Sequence, residues 1–114
     1  MNIYFEVENY NREMESRMLI SMEAAVNDHI AYITHRVNLL SNASKNKIEP
    51  GVIFLKDANT TSYVKNLLIS IKKNGFFVIC TDEEAGIQFD KYCDFITIRA
   101  LTNLDSIDVF ICWG

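Results

Sequence analysis

The sequence lacks the clustered positive charge that nucleic-acid-binding proteins carry. It has 11 lysines and arginines against 15 aspartates and glutamates, a net charge of -4. Its longest basic block is the pair Lys72–Lys73. Because binding to a phosphate backbone needs clustered basic residues, the sequence predicts no nucleic-acid partner. The same acidic balance disfavours unaided docking on anionic lipid.

Cysteine is scarce and shows no metal-binding spacing. The three cysteines, Cys80, Cys93 and Cys112, form no Cys-x-x-Cys pair, and the chain has only two histidines. We therefore predict no metal site. Two of the cysteines fall inside predicted buried strands, where a thiol packs as a small apolar group. An odd number of cysteines fits a reducing compartment.

The sequence also lacks targeting and membrane-spanning segments. The first residues, MNIYFEVE, contain no basic segment followed by a long apolar run, so they predict no signal peptide. No stretch approaches the ~20 apolar residues that a membrane span requires. We expect a cytoplasmic protein with no membrane span.

Three nucleotide-binding motifs are missing as well. The segment EVENYNRE stands where a Gly-x-Gly-x-x-Gly motif would follow the first strand. No P-loop occurs, and no acidic residue closes the second predicted strand to bind a ribose hydroxyl. The sequence therefore disfavours an ordinary NAD-binding domain.

What the sequence does contain is an alternation of short apolar runs with amphipathic segments. With 49% apolar residues over 114 positions, the chain is long enough for one domain with its own core. The predicted strands are Ile3–Val7, His29–Thr34, Val52–Leu55, Phe76–Thr81, Phe95–Ile98 and Ile107–Trp113. Strands that alternate with helices indicate parallel βαβ units, and continuous apolar strands indicate cover on both faces. The predicted fold class is α/β, a Rossmann-like doubly wound, mostly parallel sheet of five to six strands with helices on both faces, in a single domain over residues 1–114.

Two longer helices are predicted between these strands. The first runs from Arg12 to Asn27, and the stripe predicted to face the core consists of Met14, Met18, Met22 and Ala25. Glu13 and Arg17 lie off that stripe, one turn apart, and are predicted to form an ion pair. The second begins after a cap at Thr60 or Thr61 and ends before Gly75. The segment HRVNLL predicts a short helix, and the polar residues 41–47 predict a loop.

Polar residues follow most of the predicted strands, and ligands of parallel sheets bind beyond the carboxyl ends of the strands. These residues are Glu6 and Glu8, His35 and Arg36, Lys56 and Asp57, and Asp82, Glu83 and Glu84. Solvated strand ends are the alternative for each of them, because loops collect polar groups anyway. Arg12 either pairs with neighbouring glutamates or contacts an anion or sugar. His35 is either a hydrogen-bonded structural residue or a ligand or base.

A receiver-like signalling domain is an alternative because it shares this architecture. Such a domain needs acids after the first strand, an aspartate after the third and a threonine or serine after the fourth. Glu6 or Glu8, Asp57 and Thr81 match this pattern loosely. No lysine closes a later strand, as a receiver would require, so we rank this alternative lower.

The order of several short motifs resembles a family of bacterial surface carbohydrate (surface polysaccharide) biosynthesis proteins. The matching landmarks are Glu6 in the first strand, the pair Arg12–Glu13, Arg17 followed by MLISMEAA, His35 with Asn38–Leu40, the segment Asp82–Gly86 and the closing Cys112–Gly114. Together they span nearly the whole chain. The polar, asparagine-rich residues 41–47 depart from the family pattern.

The resemblance implies a two-domain glycosyltransferase of the GT-B kind, of which this chain would be the N-terminal, acceptor-side Rossmann-like half, a domain fragment inactive alone. A C-terminal domain past Gly114 would then bind the nucleotide sugar, so we expect no cofactor in this fragment and a carbohydrate acceptor as partner. The candidate ligand-binding residues are Glu6, Arg12, Arg17, His35, Asp82, Glu83 and Glu84. The carboxylates and the imidazole would serve as base or bind sugar hydroxyls, and the arginines would contact anionic groups. A non-catalytic interaction module of the same pathway is the alternative.

Overall fold

The computed structural model describes residues 1–57, 61–81 and 101–111. Its parallel strands alternate with helices, as the sequence predicts. In chain order the elements are β1 (Asn2–Val7), α1 (Tyr10–Val26), β2 (Ile30–His35), α2 (Arg36–Ser44), β3 (Val52–Leu55), α3 (Ser62–Lys73), β4 (Phe77–Thr81), a 3-10 helix (Leu101–Ser106) and β5 (Val109–Ile111). The predicted strand Phe95–Ile98 and residues 112–114 lie outside the described residues.

The five described strands form one all-parallel sheet in the order β2-β1-β3-β4-β5. The chain moves from β1 to one side for β2 and then returns across β1 to β3. The order therefore reverses between β1 and β3, and this reversal is the topological switch point at which doubly wound sheets bind ligands. The predicted α/β, Rossmann-like class is confirmed.

The apolar core lies between the sheet and the pair of helices α2 and α3. Alternate strand residues point to this face, and the helices contribute aliphatic side chains. The cluster consists of Tyr4, Leu39, Leu40, Ala43, Ile53, Leu55, Val64, Leu68, Ile71, Phe76 and Val78. The thiol of Cys80 is also fully buried, as predicted for a cysteine that packs as an apolar group.

Local sequence explains where α2 and α3 begin and end. The side chain of Thr61 accepts a hydrogen bond from the Val64 amide and caps α3. Gly75 follows the end of α3 with φ 85°, a left-handed conformation that a glycine adopts without strain. The predicted loop at residues 41–47 is partly wrong, because α2 continues to Ser44.

Helix α1 covers the opposite face of the sheet, and the orientation predicted for it is wrong. Its two buried residues are Glu13 and Arg17, whereas Met18 and Met22 are 51% and 63% exposed. The predicted core stripe therefore points to solvent. The physical reason is that the buried Lys56 ammonium after β3 needs a charged partner, which Glu13 of α1 supplies, and that Arg17 of α1 donates to the buried backbone carbonyl of Glu6 in β1.

Candidate functional site

Glu6, near the end of β1, occupies the centre of a buried charged cluster at the switch point. Its side chain is fully buried. One carboxylate oxygen, Oε1, accepts hydrogen bonds from the Lys56 backbone N–H at 2.5 Å and from Arg36 Nη1 at 3.2 Å. The other oxygen, Oε2, has no hydrogen-bond partner among the described residues. Burial raises the pKa of Glu6 to about 7, although Arg36 and the Lys56 amide oppose this shift.

Arg36 joins the ends of β1 and β3. It is the first residue of α2, which begins directly after β2. Its guanidinium binds Glu6 through Nη1 and Asp57 Oδ1 through Nη2, the latter at 3.0 Å. Burial alone would lower the pKa of Arg36, but the two carboxylates raise it, so the guanidinium stays charged. The Arg36 guanidinium thus connects residues at the carboxyl ends of three strands, β1, β2 and β3.

Glu13 anchors the beginning of α1 to the sheet. Its carboxylate accepts hydrogen bonds from the backbone N–H groups of Glu8 at 2.8 Å and Asn9 at 3.2 Å. Lys56 Nζ lies 3.2 Å from its Oε1 and also pairs with Glu8. Burial raises the pKa of Glu13, but these hydrogen bonds, with one from Arg12, outweigh burial and lower it to about 2. Glu13 therefore satisfies amides at the helix start.

Arg17 completes the cluster from the next turn of α1. Its side chain is almost fully buried, and its Nε donates a 3.0 Å hydrogen bond to the backbone carbonyl of Glu6. Its guanidinium carbon lies 5.8 Å from the centre of the Phe54 ring, within the range of a cation–π contact. These contacts fasten α1 to β1 and β3.

The predicted candidate residues divide into internal and surface groups. Glu6 and Arg17 lie together in the buried cluster. A ligand would therefore contact neighbouring residues that they hold in place, and not Glu6 or Arg17 themselves. Arg12 is 60% exposed and pairs with Glu13. His35 ends β2, and its Nδ1 accepts a hydrogen bond from the Val37 amide, which caps α2. Asp82, Glu83 and Glu84 lie outside the described residues.

A pocket of about 190 Å³ opens beside the carboxyl ends of β1 and β2. Its walls combine aliphatic and polar side chains, and its lining consists of Val7, Glu8, Tyr10, Met14, Ile33, Thr34 and His35. The Glu8 side chain is 51% exposed and Tyr10 is 67% exposed. Pockets for drug-sized ligands measure about 300–1,000 Å³, so this one has the size for a single ring or small group.

The prediction from sequence omitted several members of this site. Arg36 and Lys56 were identified as polar strand ends but not as candidate site residues, and Asp57 was a candidate only in the receiver alternative. Tyr10 carried no signal beyond its position in a turn. The usable signal for the first three was their position, because all directly follow strands that flank or neighbour β1 in a parallel sheet.

Among residues 1–57, 61–81 and 101–111, no three or more His, Cys, Asp or Glu side chains are grouped so that they could hold a metal ion. No helix in that part of the chain has both the length and the apolar character to cross a membrane. Comparison with models of protein families, with curated proteins and with solved structures found no significant match.

Proposed function

We propose that this chain is the N-terminal, acceptor-side domain of a GT-B-like glycosyltransferase of bacterial surface polysaccharide biosynthesis. The observation that supports the proposal is the convergence of Glu6, Glu13 and Arg17 in one cluster at the switch point. These three residues belong to the motifs that resemble the polysaccharide family, and the switch point is where sheets of this type bind ligands. A Glu13–Arg17 ion pair on the surface of α1, as predicted from the sequence, would not have supported a ligand site at the switch point.

The pocket beside β1 and β2 has the chemistry for one sugar ring. The exposed ring of Tyr10 offers a flat apolar surface, the Glu8 carboxylate accepts hydrogen bonds from hydroxyls, and His35 supplies an imidazole. Because Nδ1 of His35 accepts a hydrogen bond from the Val37 amide, the neutral imidazole carries its proton on Nε2 and would donate a hydrogen bond to a sugar hydroxyl, not act as its base. The nucleotide sugar would be held by a further domain, so the fragment alone transfers no sugar.

The buried cluster positions this pocket and does not touch the sugar. Glu13 fixes the Glu8 and Asn9 amides, and Lys56 binds the Glu8 carboxylate. The backbone that carries Glu8 and Tyr10 is therefore held before a ligand arrives, which lowers the entropic cost of binding. Glu6 is a positioning residue by the same argument, acting through the Lys56 amide and Arg36.

The test is to measure the binding of acceptor oligosaccharides and nucleotide sugars to the 114-residue chain by NMR and by isothermal titration calorimetry. Tyr10→Ala should weaken oligosaccharide binding at least about tenfold, because it removes the stacking surface. Tyr63→Ala is a matched control, since Tyr63 is 64% exposed and lies on α3, on the other face of the sheet. Equal binding by both variants, or no saccharide binding by the chain, would refute the proposal.

The strand order β2-β1-β3-β4-β5 favours a second candidate, a receiver-like domain, because receivers share this order. Asp57 follows β3, as a phosphoacceptor would. However, its carboxylate is bound to Arg36 and the residue is only 8% exposed. Incubation with acetyl phosphate distinguishes the two candidates: a phosphoryl group on Asp57, absent from Asp57→Asn, would establish the receiver and displace the carbohydrate proposal.

A further inference from the structure

The pocket beside β1 and β2 contains a single formally charged side chain among the described residues that line it. That side chain is Glu8, which is 51% exposed. The other described lining groups are apolar, hydroxyl-bearing or imidazole side chains. A sugar ring in this pocket would therefore meet a carboxylate, so the charge of the ring affects its binding.

The cations of the neighbouring cluster do not line the pocket. Lys56, Arg36 and Arg17 are only 4%, 8% and 2% exposed, and they bind carboxylates or a carbonyl group of the cluster. Arg12 is 60% exposed, but it pairs with Glu13. Within the described lining, an anionic ligand would therefore find no lysine or arginine to neutralise it.

The amides at the two helix starts near the pocket already have acceptors within the chain. The first amides of a helix bind anions when no side chain accepts their hydrogen bonds. At the start of α1, the Glu13 carboxylate accepts from the Glu8 and Asn9 amides. At the start of α2, Nδ1 of His35 accepts from the Val37 amide. The chain's own groups thus take hydrogen bonds that a phosphate or carboxylate would otherwise accept.

From these three observations we infer that Glu8 is a specificity-determining residue, through which the pocket binds uncharged sugar rings and rejects rings that carry a carboxylate, sulfate or phosphate group. The inference rests on the proposed function and adds the class of sugar to it. An uncharged ring donates hydroxyl hydrogen bonds to the Glu8 carboxylate and accepts one from Nε2–H of His35. An anionic group in the same place would meet a like charge, and its loss of hydration would not be offset by an ion pair.

Lys56 holds the Glu8 carboxylate in place but does not cancel its effect on a ligand. The ammonium pairs with both Glu8 and Glu13 and is almost fully buried. Because Lys56 does not line the pocket, a ligand that contacts Glu8 lies closer to the carboxylate than to the ammonium, and the nearer charge dominates the interaction. Repulsion between two unit charges about 4 Å apart in water corresponds to about a fivefold loss of affinity.

Methyl β-glucuronide and its uncharged amide test the inference, because the two rings have nearly the same shape and differ in charge. NMR titration of the parent chain at neutral pH should show about fivefold tighter binding of the amide than of the acid. The corresponding galacturonide pair repeats the comparison with the other configuration at one hydroxyl. Tyr10→Ala should weaken the binding of both amides, which locates the binding in this pocket.

Glu8→Gln tests the role of the residue itself. Glutamine keeps the size of the side chain and its hydrogen bonding but removes the charge, so the affinities of this variant for each acid and its amide should agree within about twofold. Glu15→Gln is the matched control, because Glu15 is an exposed glutamate of α1 that does not line the pocket, and it should retain the preference of the parent chain. Circular dichroism checks that both variants fold.

The outcomes separate this inference from the proposed function. If acceptor oligosaccharides bind but neither amide does, or if the acids bind as tightly as the amides, the inference is overturned and the proposed function stands. A preference for the amides that persists in Glu8→Gln would overturn the inference as well. If no saccharide binds, the proposed function fails and the inference fails with it.

Discussion

Replacing Glu6 by glutamine should remove most of the pH dependence of folding between about pH 5 and pH 8. The folded state holds the proton of Glu6 up to a pKa of about 7, whereas the ordinary value is 4.5. Between these two values the folded chain binds a proton that the unfolded chain has lost. Stability therefore falls as the pH rises through this window and levels off above it.

The magnitude follows from the size of the pKa shift. At 1.36 kcal/mol for each pKa unit, ionisation of Glu6 should cost about 3 kcal/mol of unfolding free energy by pH 8. Glutamine imitates the protonated acid, because its amide oxygen can accept from Lys56 N–H and Arg36 at the Oε1 position. Its NH₂ group takes the place of Oε2, which has no partner among the described residues.

Urea unfolding, followed by circular dichroism across this pH range, measures the effect. The parent chain should lose stability toward high pH, and Glu6→Gln should be nearly flat and more stable than the parent at pH 8. Glu15→Gln, an exposed substitution on α1, serves as the control and should retain the parent's slope. Parallel pH profiles for the parent and Glu6→Gln would refute the claim that burial governs this carboxyl group.

Four further outcomes follow from the structure, each measured as a change in the free energy of unfolding. Arg36→Met should destabilise the fold by about 3–5 kcal/mol, because it leaves two buried carboxylates without their cation; a smaller loss above pH 7 than below it would contradict this account. Gly51→Ala should cost about 1–3 kcal/mol, since the added Cβ would come within 2.3 Å of the Asn2 carbonyl oxygen. An unchanged stability would show that β1 and β3 can move apart here at little cost in free energy. Thr61→Ala should cost about 1 kcal/mol through loss of the cap on α3, whereas Thr61→Ser should retain most of it. Leu68→Ala should cost about 2–5 kcal/mol because Leu68 is fully buried, and a loss below 1 kcal/mol would mean that the core closes around the cavity.

The strands and the fold class were predictable because their signals are local. Continuous apolar runs such as Val52–Leu55 mark buried parallel strands wherever they occur. Thr61 and Gly75 marked the ends of α3 by their cap chemistry alone. Such features depend on a few neighbouring residues, so the sequence contains all the information needed to recognise them.

The orientation of α1 was not predictable by the same logic. Hydrophobic periodicity places Met14, Met18 and Met22 in the core, and it is the usual guide for an isolated helix. Here Glu13 is buried because Lys56, distant in sequence, needs a charged partner, and Arg17 is buried where its Nε donates a hydrogen bond to the Glu6 backbone carbonyl. A contact between residues 43 apart leaves no periodic trace in either segment. The prediction that residues at the strand ends converge at one edge of the sheet agreed better with the structure, since it rests on the geometry of parallel sheets.

The two sides of the sheet are held by different forces, and temperature should therefore act on them unequally. Aliphatic contacts dominate beneath α2 and α3, and such contacts weaken on cooling. Ion pairs and hydrogen bonds fasten the inner surface of α1, and the dehydration penalty of such charged groups shrinks on heating. On heating, the apolar contribution levels off whereas the charged contacts keep gaining, so the helix held by Arg17 should tolerate heat better than the helices around Leu68.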